Sequence, residues 1–169
     1  MLSARGFSLL EVLIATTIVA VALTALAELF SLAINANRAA KTLTIATVLA
    51  VEKMEQLRSL TWGFDASGVP VADPRLATFP FDALRRNTSG FCDFVGANGQ
   101  SLGEATTPPA GAIYVRRWSI EPLPSDPANA LVFQVLVTQR FNQSVDVAAN
   151  RPPPADEARL VSVRARQAM

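Results

Sequence analysis

The sequence predicts an α+β fold: a long N-terminal α-helix, membrane-spanning in its first half and amphipathic in its second, packed on a small antiparallel β-sheet. Three observations predict it. No glycine or proline occurs between Phe7 and Trp62, all eleven prolines lie at or after Pro70, and the last third of the chain alternates apolar and polar residues. At average usage of ~7% glycine and ~5% proline, a stretch as long as 8–61 should hold roughly seven of them, so one uninterrupted helix is the natural reading. The chain has 169 residues, 50% apolar and 17% charged, which is about one domain and not a disordered tail.

The first half of that helix carries only Glu11 and Glu28 as charges from Phe7 to Ile34, with Val12–Ala27 uncharged between them. A membrane helix needs ~20 mostly apolar residues, so the segment spans if each glutamate sits near one interface. Beyond Asn35 the pattern turns amphipathic. Ala36, Ala39, Ala40, Leu43, Ala46, Ala50, Met54, Leu57 and Leu60 recur at steps of three or four, with Asn37, Arg38, Lys41, Thr44, Lys53, Gln56 and Arg58 on the remaining faces. A helix from Phe7 to about Leu60 would be about 80 Å long at 1.5 Å per residue.

Residues 62–111 hold scattered aromatics among turn formers and read as an irregular region; 63–111 contain seven of the eight glycines. Three strands are expected in 112–169. Ala112–Glu121 is β-branched and aromatic, with Arg116-Arg117 hinting at a bulge. Leu131–Phe141 puts Leu131, Phe133, Val135 and Val137 on one face. Leu160–Arg166 puts Val161, Val163 and Ala165 opposite Ser162, Arg164 and Arg166. One sheet face covered by the helix would bury these apolar rows.

Function is bounded by what is missing. The sequence has no histidine and one cysteine, Cys92. That excludes hydrolases with a histidine base, histidine-ligated zinc or haem, a multi-cysteine metal site and an intramolecular disulfide. No nucleophile–base pair or metal cluster emerges from spacing, so no enzyme, cofactor or small-molecule substrate is expected. The 15 basic and 14 acidic residues nearly cancel.

The positive signal is Gly6-Phe7-Ser8-Leu9-Leu10-Glu11-Val12-Leu13-Ile14-Ala15, preceded by a short leader with Arg5. It resembles the class III signal of the type IV pilin superfamily. The resemblance implies that residues 1–6 are a leader, that a prepilin peptidase cuts between Gly6 and Phe7 on the cytoplasmic side, and that the new Phe7 amine is methylated. It implies an assembly role for Phe7 and Glu11, the carboxylate of one subunit meeting the amine of the next. Physical chemistry supports a partner for Glu11: a carboxylate in hydrocarbon costs roughly 2.5–3.5 kcal/mol on insertion scales, and no lysine or arginine lies within one turn of it. Thr16, Ala20 and Thr24 form a small-residue stripe suited to close helix packing.

The chain departs from major pilins in having Glu28 where a helix-bending proline is usual and in lacking a C-terminal disulfide. Leu49-Ala50-Val51-Glu52-Lys53-Met54-Glu55-Gln56-Leu57 resembles the matching segment of PilV-like minor pilins and GspI-like pseudopilins. The implied protein is a minor pilin or pseudopilin of a type IV pilus or type II secretion pseudopilus, with a role in assembly initiation or a tip complex. It is anchored once in the bacterial inner membrane with the C-terminal domain periplasmic, enters the pilus or pseudopilus filament, and is partnered by other pilin or pseudopilin subunits. The alternative is an exported soluble binding module or adhesin, cleaved after Ala27 at Ala25-Leu26-Ala27. Arg85-Arg86, Arg116-Arg117 and Arg159, Arg164 and Arg166 are weighed as a DNA face, and DNA is not expected as a partner, because stacking aromatics are not interleaved with them. Asp65, Ser67 and Asp73 lack the ligand density of a calcium loop. Cys92 reads as a buried free thiol and 142–158 as a partner-contacting loop.

Overall fold

The computed structural model describes residues 8–140 and 157–166, so the expected loop 142–158 lies almost wholly outside the described residues. The chain divides into two units, Met1–Ala40 and Lys41–Met169. Helix α1 covers Leu9–Ser59, uninterrupted as the lack of glycine and proline requires. The chain is α+β: in the second unit the helix packs on antiparallel strands.

Two sheets follow. Strands β1 (Trp62–Phe64) and β2 (Pro70–Ala72) pair as a small hairpin. Its turn is held by Asp65, whose carboxylate accepts the Ser67 and Val69 amides at 2.8 Å, and by Gly68 at φ +77°, a conformation other residues avoid. Strands β3 (Cys92–Val95), β4 (Tyr114–Pro122), β5 (Ala130–Gln139) and β6 (Ala158–Ala165) form an antiparallel sheet in that spatial order.

The inner face of this sheet carries Asp93 and Val95 from β3, Tyr114, Arg116, Trp118 and Ile120 from β4, and Leu131, Phe133, Val135 and Val137 from β5. Against it lie Ala46, Leu49, Ala50, Lys53, Met54 and Leu57 of α1. Ala46 and Ala50 are fully buried, and their small size brings the helix axis close to the sheet. A second cluster of Phe94, Ala112 and Val115 sits on the outer face under residues 101–105.

Four expectations are corrected. The span 62–111 is not simply irregular, because it supplies β1, β2 and β3; the four residues of β3 are too few to show a period, and one of its two inward residues is an aspartate. There is no bulge at Arg116-Arg117. Their registers with Asp93 and Cys92 and with Val137 and Leu136 are continuous, so Arg116 points inward and Arg117 outward.

Lys53, placed by periodicity on the polar face, is buried. Its Nζ donates to Asp93 at 3.0 Å and lies 3.6 Å from the centre of the Trp118 ring. Arg116 grips the same carboxylate through two bonds of 2.7 and 2.9 Å and reaches Glu52 of the helix at 3.3 Å. An aspartate thus makes an apolar interface accept two cations, because charges leave water only when paired and hydrogen-bonded.

The fourth correction concerns β6. Val161 and Val163 are 59% and 54% exposed, and the inward row is Ala158, Leu160, Ser162 and Arg164. Arg164 donates to the Leu60 carbonyl at 2.7 Å, at the C-terminal end of α1, where carbonyls lack helical partners and a cation is favoured. Arg166 donates to the Gly63 and Val71 carbonyls at 3.0 and 3.2 Å and stacks 3.5 Å over Trp62. These contacts are available only to the row that carries the arginines, and they favour that row facing inward.

Replacing Asp93 by asparagine should leave two buried cations without their anion and cost about 3 kcal/mol, the usual penalty for breaking a buried pair. Urea unfolding of the full-length protein in detergent micelles measures it, and a change below about 1 kcal/mol would contradict the assigned role.

Candidate functional site: the N-terminal helix

Gly6 and Phe7, the expected cleavage and methylation positions, lie outside the described residues. The described chain starts with Ser8, which caps α1. The Leu10 amide donates to Ser8 Oγ at 3.3 Å, and the Ser8 amide donates to Glu11 Oε2 at 3.3 Å. This reciprocal pair satisfies two amides that the first turn leaves without helical acceptors. The sequence signal was present in Ser8-Leu9-Leu10-Glu11, a serine three residues before an acid at the head of an apolar run, and the reading of Glu11 as an assembly residue passed over it. Glu11 also stands in the first turn, where the helix dipole favours a negative charge.

From Leu9 onward the side chains of the first unit are exposed. Leu9, Leu10, Leu13, Ile18, Val21, Leu23, Leu29 and Phe30 are among the large apolar residues left exposed among the described residues. The helix contains a stretch long and apolar enough to cross a membrane, none of it buried within the chain. Exposed apolar surface of this extent calls for lipid or other helices as its medium.

The stripe of Thr16, Ala20 and Thr24 is placed in part. Thr16 Oγ1 donates to the Leu13 carbonyl at 3.0 Å and Thr24 Oγ1 to the Ala20 carbonyl at 2.8 Å, so both hydroxyls are satisfied within their own helix and offer methyl groups outward. Ala15, Thr16, Val19, Ala20 and Leu23 line a shallow apolar concavity of about 320 Å³; Thr16 and Ala20 belong to it and Thr24 does not.

With that geometry in place, comparison with known families is informative. Residues 1–27 match the family model of the prokaryotic N-terminal methylation motif. The chain carries that motif. It is the class III signal of type IV pilins, and together with the long apolar helix it fits inner-membrane anchoring and supports a type IV pilin-like or pseudopilin-type protein in general. The motif implies processing by a prepilin peptidase and assembly with other pilin subunits. No curated protein and no solved structure matches the chain.

The remaining candidates are absorbed by the fold of the second unit. Arg85 pairs with Glu157 at 3.4 Å, Arg117 bonds Asn87 and Thr138, and Arg159 bonds Gln134 and stacks over Phe81. With Arg116, Arg164 and Arg166 already engaged, these arginines serve the fold itself. Burial lowers the pKa of Arg117 and of Arg164, whereas for Arg116 the bonds it donates to Asp93, with the charges of Asp93 and Glu52, overcome the cost of burial and raise it. Asp65 is spent on its turn and Asp73 on Arg75. Among the described residues, no three histidine, cysteine, aspartate or glutamate side chains form a metal cluster.

Cys92 is a buried free thiol whose Sγ lies 3.1 Å from the Ala105 carbonyl, and burial raises its pKa. In folded protein it should react with maleimide at pH 8 far more slowly than after denaturation, as mass spectrometry of the labelled protein checks. Asp73 caps the short 3-10 helix Pro74–Leu76, and its bonds from the Arg75 side chain and backbone lower its pKa to about 2. A depressed acid stabilises the folded state above its ordinary pKa and loses that contribution as pH falls toward the folded value. The Arg75 amide resonance should therefore titrate near pH 2 and stay flat between pH 4 and 7.

Proposed function

We propose that this protein is a minor pilin or pseudopilin, a non-catalytic subunit of a type IV pilus or type II secretion pseudopilus that acts in assembly initiation or in a tip complex. The observation that carries the proposal is the methylation motif at residues 1–27, continued without a break by a helix that runs to Ser59 and ends on a small sheet. The absence of a helix-bending proline near Glu28 and the single buried cysteine favour a minor subunit over a major one.

In this reading residues 1–6 are removed between Gly6 and Phe7 on the cytoplasmic side and the Phe7 amine is methylated. The helix then crosses the inner membrane up to about residue 34, and the second unit lies in the periplasm before incorporation. Thr16, Ala20 and Thr24 meet neighbouring helices. Glu11 of one subunit receives the Phe7 amine of another. A carboxylate offers about four acceptor positions, so its bond to the Ser8 amide leaves capacity for an ammonium.

Mass spectrometry of the membrane-extracted protein tests processing: the expected N-terminus is an N-methylated Phe7, and a start at Met1 or Glu28 overturns the reading. Glu11→Gln tests assembly. It removes the ion pair, keeps the side-chain shape, and leaves an unpaired ammonium among apolar helices, a loss of about 3–5 kcal/mol. That corresponds to at least about a hundredfold less incorporation. Processing and membrane residence should persist, since the variant helix is less costly to insert. Co-purification of this variant with other pilin subunits at wild-type levels would refute the pairing.

A further inference from the structure

Edge strands present unpaired backbone groups, and proteins usually cover or blunt them. Here three margins are treated in that way. The outer side of β3 is occupied by residues 101–103, with the Leu102 amide bonded to the Phe94 carbonyl at 2.8 Å and the Phe94 amide to the Gly103 carbonyl at 3.1 Å. The part of β4 that extends beyond β3 is taken by Phe79, which exchanges both backbone bonds with Ile120. Strand β2 carries Pro70, which has no N–H to offer, at an outward position.

Strand β6 has none of these devices among the described residues. The Arg166 amide donates to the Asn129 carbonyl at 2.6 Å, which fixes the alternation of the β5–β6 ladder. Leu160, Ser162 and Arg164 therefore exchange bonds with β5, and the N–H and C=O groups of Arg159, Val161, Val163 and Ala165 point away from the sheet. The same four residues turn their side chains to the outer face, where Val161 and Val163 are more than half exposed. The strand is also held firmly, by Arg164 on Leu60 and Arg166 on Gly63, Val71 and Trp62.

The charge along this edge has one sign. Strand β6 carries Arg159 and Arg164 and no acid, with Arg166 directly after it. Among the described residues, the hydrogen bonds of these arginines go to the Gln134 side chain and to backbone carbonyls, neutral acceptors that bring no compensating charge. Arg58, near Arg164, adds to it enough to help lower the Arg164 pKa after the larger effect of burial.

We infer that β6 is a docking edge for an extended segment of another subunit, which adds a fifth strand beside Arg159–Ala165, sets β-branched apolar side chains against Val161 and Val163, and brings carboxylates to the arginines. This rests on the assembly role proposed above. Backbone bonds supply the affinity of such strand addition, and side chains at alternate positions supply its selectivity.

The test uses the full-length processed protein in detergent micelles and two synthetic peptides of alternating valine and threonine, one with glutamate at both ends and one with lysine. Hydrogen exchange is read amide by amide. In the free protein the Val161 and Val163 amides should exchange fast while Leu160 and Ser162 are protected, and the glutamate peptide should protect Val161 and Val163. Val163→Pro deletes an outward N–H that the chain's own ladder does not use. It should keep the fold and weaken binding at least ~tenfold, the worth of a backbone bond with its neighbouring contact. Should that variant fail to fold, Val161→Asp, which leaves the backbone intact and opposes an acidic strand, takes its place with the same expectation.

Protection of Val161 and Val163 in the free protein, no protection by either peptide, or unchanged binding by the variant overturns the inference. Equal protection by the lysine peptide overturns its electrostatic part. The N-terminal mass of the same preparation reports separately on processing, so a failed edge and a failed pilin-type reading are told apart.

Discussion

The carboxylate of Asp93 is the point on which the second unit turns. It sits on the inner face of the sheet, gripped by Arg116 from the neighbouring strand and by Lys53 from the helix, while Trp118 lies under the ammonium. Each of the three charges is buried against an opposite one, because an unpaired ion in a low-dielectric interior costs several kcal/mol. Hydrophobic contact alone would tolerate a helix rotated or slid by a fraction of a turn. A short, directional ion network does not, so it sets which face of α1 meets the sheet and, through it, which residues are left outside.

The C-terminal arginines make a second tie of the same chemical kind. Arg164 meets the carbonyl left open where α1 ends, and Arg166 lies across Trp62 and the β1–β2 hairpin. Both ties use a cation at a place where simple patterning would put an aliphatic side chain. The result is an exchange of faces: arginines go inward along β6, and Val161 and Val163 go out. Arg85, Arg116, Arg117, Arg159, Arg164 and Arg166 are thus all engaged in contacts within the second unit.

The first unit follows different physics. Among the described residues its apolar side chains are exposed, its threonine hydroxyls are satisfied by the preceding turn, and amides of its first turn are satisfied by Ser8 and Glu11. The threonine hydroxyls and the capping groups, which would otherwise make such a helix costly in hydrocarbon, are thus settled locally. The capping arrangement also shows that Glu11 has a bond of its own before any partner arrives, which lowers the cost of carrying a carboxylate at the head of an apolar helix. That helix and the sheet to which its far end is fastened meet the two needs of an assembly subunit, insertion in an apolar medium and a folded surface for selective contact.

The sequence by itself determined whatever depends on neighbours along the chain. An uninterrupted helix followed from the lack of glycine and proline, the inward row of β5 from its strict alternation, the buried thiol from the apolar residues around Cys92, and the N-terminal motif from Gly6, Phe7 and Glu11. Even the cap was legible in Ser8-Leu9-Leu10-Glu11. Tertiary structure decided what depends on partners distant in the chain. Lys53 is polar by any periodicity until Asp93, forty residues on, turns up beneath it. Strand β3 is too short to announce itself, and β6 has two faces of comparable apolar content, so only the carbonyls of Leu60, Gly63 and Val71, roughly a hundred residues earlier, could choose between them. Local pattern records the cost of exposing a side chain; it holds no record of an ion or carbonyl that waits elsewhere in the fold, and here those long-range electrostatic contacts chose the faces.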